Sequence, residues 1–124
     1  MTSEEFKRIM GEELDLVPAQ WAARLDNVVF LTADEAEGGD DLLGLYQGVP
    51  LTKRDTSYGI GGTMPDTITL YRLPILREAA ETGTDPWIII RETLWHEIAH
   101  YFGFEENEVM LREEERTNRF KNRE

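Results

Sequence analysis

The chain of 124 residues contains no cysteine, which excludes disulfides and thiolate metal ligands alike. Any metal it holds must be bound through nitrogen and oxygen. Basic residues are scarce as well: 13 Lys and Arg stand against 25 Asp and Glu, a formal net charge of -12. A surface of that sign repels phosphate backbones, so nucleic acid is not an expected partner. It can favour basic peptides, and more generally it keeps a small protein in solution. Long hydrophobic runs are also missing. Stretches such as residues 28–31 and 87–90 fall far short of the roughly 18 residues a membrane span requires, so no membrane partner is expected. The opening Met1-Thr2-Ser3-Glu4-Glu5-Phe6 is acidic and lacks the layout of a signal peptide, and the expected location is the cytoplasm. With no internal repeat or linker, the length suits one domain over residues 1–124 built on a single core.

The residues that are present outline alternating helices and strands. Phe6, Ile9, Met10 and Leu14 recur at three-to-four spacing and predict a helix over residues 3–14, opened by a capping box of Thr2 and Glu5. A shorter helix is expected over residues 18–25, with Pro18 near its start and Trp21 and Leu25 on one face. Residues 27–32 read as a buried strand, and residues 33–41, with five acids and Gly38-Gly39, as a mobile surface loop or turn. A second strand is expected over residues 42–49, where Gly44 and Gly48 mark a bulge or a close backbone approach. The glycine-rich residues 50–65 read as a long loop, and residues 67–72 alternate as a strand with one wet face. Pro74 opens a helix that Gly83 closes near Thr82, and a last, highly charged helix is predicted over residues 105–120. The class is α+β, about three strands with helices at both ends of the chain.

Histidine is rarer than almost any other residue here, and its placement is informative. The only two, His96 and His100, frame a glutamate in Leu94-Trp95-His96-Glu97-Ile98-Ala99-His100-Tyr101-Phe102-Gly103. The spacing H-E-x-x-H arises by chance in roughly one in a few hundred chains of this length. Thr84-Asp85-Pro86 supplies a helix start and Gly103 a left-handed stop, so the motif falls on a helix. Trp87, Leu94, Ile98 and Phe102 share one side of it, and His96, Glu97 and His100 fall roughly opposite. Residues four apart lie one turn above each other, with Cβ atoms about 5–6 Å apart, so two imidazoles can reach one ion. Glu97, about 100° around the helix from His96, flanks that ion without having to bind it. It is placed to act as a general base toward a water acidified by zinc.

Two histidines hold zinc weakly, and a third ligand has to come from a carboxylate. Glu106 completes His96-Glu97-x-x-His100-x-x-Gly103-x-x-Glu106, in which the glycine turn sends the chain back toward the metal; Glu105 is the neighbouring alternative. The segment resembles the extended motif of the metzincin metalloproteases, with Glu where His or Asp is usual. It departs from them again at Met110, which comes too soon after Gly103 to make their Met-turn. In the thermolysin-like zincins the third ligand is a Glu on a following helix, a part open here to Glu113, Glu114 or Glu115.

A broader resemblance spans most of the chain. Leu-Gly-Leu-Tyr-Gln-Gly-Val-Pro-Leu-Thr at 43–52, Ile-Thr-Leu-Tyr-Arg at 68–72 and the downstream His-Glu-Ile-Ala-His-Tyr-Phe-Gly are similar to the small bacterial zincin-like metallopeptidases. That resemblance implies a minimal zincin-like fold, zinc as cofactor and a peptide or protein as substrate. On that plan a peptide would pair with the edge of the strand at 67–72, and Tyr71, Arg72 and Tyr101 would be candidates to bind substrate and stabilise an oxyanion. The leading expectation is therefore a zinc peptidase with His96, His100 and Glu106 on the metal and Glu97 as base. A metal-stabilised binding module for peptides or proteins is the alternative from another class. A metal-dependent hydrolase of a non-peptide amide or ester is a third.

Overall fold

In a computed structural model, residues 1–39, 41–49 and 64–103 are described. The first helix, α1 (Ser3–Asp15), starts where Thr2 Oγ accepts the N–H of Glu5 at 3.1 Å. A cap of this kind satisfies one of the donors that a helix N-terminus leaves open. Its apolar stripe buries Phe6 and Met10. The second helix, α2 (Ala19–Ala22), is a single turn that follows Pro18 and is shorter than expected. After it the chain tightens into i→i+3 bonds, Arg24 to Trp21 and Leu25 to Ala22, and Asn27 reverses direction at φ 56°. Trp21 and Leu25 still reach the core as their spacing predicts.

Among the described residues, three strands form one mixed sheet in the order β1-β3-β2. The strand β1 (Val28–Ala33) runs parallel to β3 (Asp66–Tyr71), with Val28 opposite Asp66 and Ala33 opposite Tyr71. The strand β2 (Gly44–Gln47) is antiparallel to β3, with Gly44 opposite Leu70 and Gln47 opposite Thr67. This arrangement corrects two expectations. The first strand is not buried on both faces: Val28 and Phe30 turn to the core, while Val29 at 41% and Leu31 at 44% are exposed on the other face. An apolar run reads the same whichever of its faces is covered. The strand at 66–71 is central, paired on both sides, so a peptide cannot add to it; the edge beside the motif helix belongs to β2.

The helix α3 (Arg72–Thr82) follows β3 directly and ends at Gly83 in the left-handed region, φ 67°. Between β1 and β2, contacts tie down residues 34–36 and 41. Ala36 is buried, Arg72 Nε bonds Asp34 at 3.0 Å, and Arg77 pairs with Asp41 at 2.8 Å and with Glu35 at 3.8 Å. The motif helix is α4 (Pro86–Tyr101), and it packs against β2, β3, α1 and α3. Its burial is correspondingly wide: Ile89, Ile90, Thr93, Leu94, Glu97, Ile98, Ala99 and Tyr101 are all inside. Trp87 is the exception to the expected core face, 37% exposed with the Arg91 guanidinium 4.9 Å from its ring. Each fully buried side chain, such as Phe6, Ile90 or Leu94, contributes about 1.5–3 kcal/mol relative to exposure. A buried ion pair of Arg91 with Glu13, at 2.5 and 3.1 Å, locks α1 to α4. Among the described residues no helix is long and apolar enough to cross a membrane. The predicted helix at 105–120 and most of the loop at 50–65 lie outside the described residues.

Candidate metal centre

The helix α4 begins at Pro86, whose fixed φ and missing N–H suit a first helical position, and stops where Gly103 takes φ 90°. Sixteen residues of uninterrupted helix keep the motif in register. One ligand atom from each of His96, Glu97 and His100 can be chosen so that all lie within 4.8 Å of one another. The two imidazole rings, 4.8 Å apart at centroid and inclined by 69°, are half-buried, and Glu97 is 7% exposed. Two donors at about 2.0–2.1 Å from a tetrahedral zinc lie roughly 3.4 Å apart, so small side-chain adjustments would bring the two imidazoles onto one ion, with the Glu97 carboxylate beside it.

The surroundings of Glu97 come from β2. Its Oε1 accepts the main-chain N–H of Tyr46 at 2.8 Å. That close approach depends on Gly44, where a Cβ would stand 2.8 Å from Thr93 Cγ2 and 3.2 Å from Glu97 Cγ. The Tyr46 hydroxyl donates to Asp66 Oδ2 at 2.7 Å, and its ring meets the Tyr101 ring edge-on at 6.0 Å. Gly48 passes so near Asp66 that a Cβ there would fall 2.3 Å from the carboxyl carbon. The expected close approach at both glycines is therefore present, against α4 in one case and Asp66 in the other.

The three residues considered for substrate binding part company. Tyr101 is fully buried, and its hydroxyl accepts the N–H of Asp26 at 3.2 Å and faces the carbonyls of Arg24 at 3.1 Å and Asp26 at 3.3 Å. It fixes the turn that leads into β1 and is corrected here to a packing residue. Arg72 is engaged with Asp34 and with the carbonyl of Met1, each at 3.0 Å. Tyr71 lies within electrostatic reach of the motif: burial and the negative charges of Glu37 and Glu97 all raise its pKa above the ordinary tyrosine value. The third-ligand candidates Glu105, Glu106, Glu113, Glu114 and Glu115 lie outside the described residues, as does Met110.

Tyr46 and Asp66 were not singled out by the sequence, although Tyr46 sits in a segment read as a strand and Asp66 stands just before another. The available signal was a pair of glycines bracketing Tyr46 at two residues on each side, in a strand that otherwise favours larger side chains. In comparison with known families, residues 23–116 match one described as zincin-like metallopeptidase. No curated protein matches the chain.

Proposed function

Because the chain belongs to the zincin-like metallopeptidase family, we propose that it is a zinc-dependent peptidase in which His96, His100 and Glu106 hold the metal and Glu97 is the general base. The observation that carries this reading is the convergence of two half-buried imidazoles and a buried carboxylate on one stretch of rigid helix, with that carboxylate tied to a main-chain amide. A pure metal-binding site has no need of a carboxylate held in this way. Zinc bound there supplies an acidified water and a Lewis acid for the substrate carbonyl. Glu97 takes the proton from the attacking water and passes it to the amide nitrogen as that bond breaks.

The substrate is a peptide or an unfolded protein segment. Since β3 is central, the edge open to strand addition beside α4 is that of β2, whose Tyr46 amide already points toward Glu97. Tyr71 is the hydroxyl that supports the developing oxyanion. Its raised pKa keeps it protonated, and therefore a donor, across the neutral range.

The test is cleavage of a peptide library, read by mass spectrometry, using the zinc-loaded chain, the metal-stripped chain and Glu97→Gln. Cleavage by the loaded wild type that falls at least about 100-fold in Glu97→Gln supports the peptidase. Stoichiometric zinc with no cleavage of any library member favours the metal-stabilised binding module.

A further inference from the structure

We infer that Gly44 and Tyr46 form a main-chain latch that positions the carboxylate of Glu97, which makes β2 part of the catalytic apparatus as well as a wall of the site. The inference rests on the reading of Glu97 as the base, and it concerns what aims that base.

The direction of the Tyr46 amide follows from strand register. Tyr71 N–H bonds the carbonyl of Leu43 at 2.9 Å, so alternate residues 43, 45 and 47 turn their main-chain groups toward β3. Tyr46 lies between them and turns its N–H the other way, to Glu97 Oε1. No ladder bond to β3 protects that amide.

Glycine at position 44 sets the distance. A Cβ there would meet Thr93 Cγ2 at 2.8 Å, Leu70 Cδ2 at 3.1 Å and Glu97 Cγ at 3.2 Å. Leu70 is fully buried and Thr93 nearly so, and neither can give way without disturbing the core. Any larger residue therefore lifts β2 from α4 at the point where the amide must reach the carboxylate. Farther along the strand, the Tyr46 hydroxyl on Asp66 and its ring against Tyr101 hold the residue that carries the amide. Gly48 lets the strand exit past the Asp66 carboxylate. The two glycines thus serve one end: they bring a main-chain donor to the base. A main-chain donor has no rotamer freedom, so it fixes the carboxylate at little entropic cost.

A hydrogen bond of this length leaves a signature on the amide that is independent of catalysis. The experiment is amide proton NMR with hydrogen exchange on the full, metal-free chain, comparing wild type, Glu97→Ala and Gly44→Ala. The Tyr46 amide should resonate downfield and be protected in the wild type. In both variants it should move upfield and exchange about tenfold faster or more, while the amides of β3 keep their protection. In the zinc-loaded chain, Gly44→Ala should lower kcat about tenfold with KM and zinc content near wild type, a split that simple loss of stability does not produce. If Gly44→Ala fails to fold, Glu97→Ala carries the test. A Tyr46 amide that is unprotected in the wild type, or unmoved in Glu97→Ala, overturns the inference. A wild type that shows the signature yet cleaves nothing leaves the latch in place and removes the peptidase reading.

Discussion

The main-chain N–H of Tyr46 lies 2.8 Å from Oε1 of Glu97, a hydrogen bond that joins residues 51 positions apart. It connects the outward edge of a short strand to the glutamate of the H-E-x-x-H motif. Through it, the sheet and the motif helix meet at a single carboxylate. Tyr46 secures the strand end of this connection by donating its hydroxyl to the buried carboxylate of Asp66.

Tyr46→Phe keeps the main-chain donor and removes the hydroxyl from Asp66. Deleting a hydrogen bond to a buried charged group costs about 1–3 kcal/mol, and a loss in that range is expected in urea unfolding. A variant as stable as the wild type would show that the hydroxyl bond adds nothing net.

The pair Glu13 and Arg91 offers a second test, in a part of the molecule remote from the sheet. Both side chains are largely shielded, with 9% and 15% of their surfaces exposed. Breaking a buried pair from one side strands the other charge, so Glu13→Ala or Arg91→Ala should each cost about 3 kcal/mol. The double change Glu13→Leu with Arg91→Met should recover most of that loss. Equal losses in the single and double variants would contradict a desolvated pair.

Much of this was legible in the sequence because it is local. The cap at Thr2, the stop at Gly83, the proline start of α4 and the histidine spacing are all set within a few residues, and each stands where the spacing puts it. Strand identity was legible for the same reason, since alternation along residues 66–71 is a nearest-neighbour property. Partners were not. Val28 to Leu31 is equally apolar whether one or both faces of its strand are covered, and only the packing of residues distant in sequence decides that Val29 and Leu31 stay wet. Tyr101 reads as an available aromatic beside His100, yet the helix turns it inward to hold the loop at 24–26. The contact between Tyr46 and Glu97 was invisible because its donor is a peptide group, which every residue at that position except proline would supply.

Tyr71 makes a prediction about pH. In the unfolded chain a tyrosine ionises near about 10, and in the folded protein burial and the charges of Glu37 and Glu97 raise that value. The folded state therefore holds this proton more tightly. The stability linked to it is complete below about pH 10 and is lost as pH rises through the folded value. Against Tyr71→Phe, which cannot ionise, the wild-type melting temperature should fall progressively above pH 10. A difference between the two that stays constant with pH would contradict the raised value. Tyr71→Phe should also reduce kcat about tenfold or more if the hydroxyl supports the oxyanion.

Among the carboxylates proposed to complete the metal site, Glu106→Ala should weaken zinc binding by at least about tenfold, while Glu113→Ala, Glu114→Ala and Glu115→Ala leave it near the wild-type value. Isothermal titration with zinc separates these cases. Loss confined to one of the three later glutamates would move the third ligand to the thermolysin-like position.

The most direct measurement is zinc content by elemental analysis after reconstitution and removal of free metal, on the wild type and on His96→Ala and His100→Ala. One zinc per wild-type chain, lost from both variants with the fold intact by circular dichroism, is the predicted result. A wild type that takes up no zinc, or variants that retain it in full, would contradict the metal centre on α4.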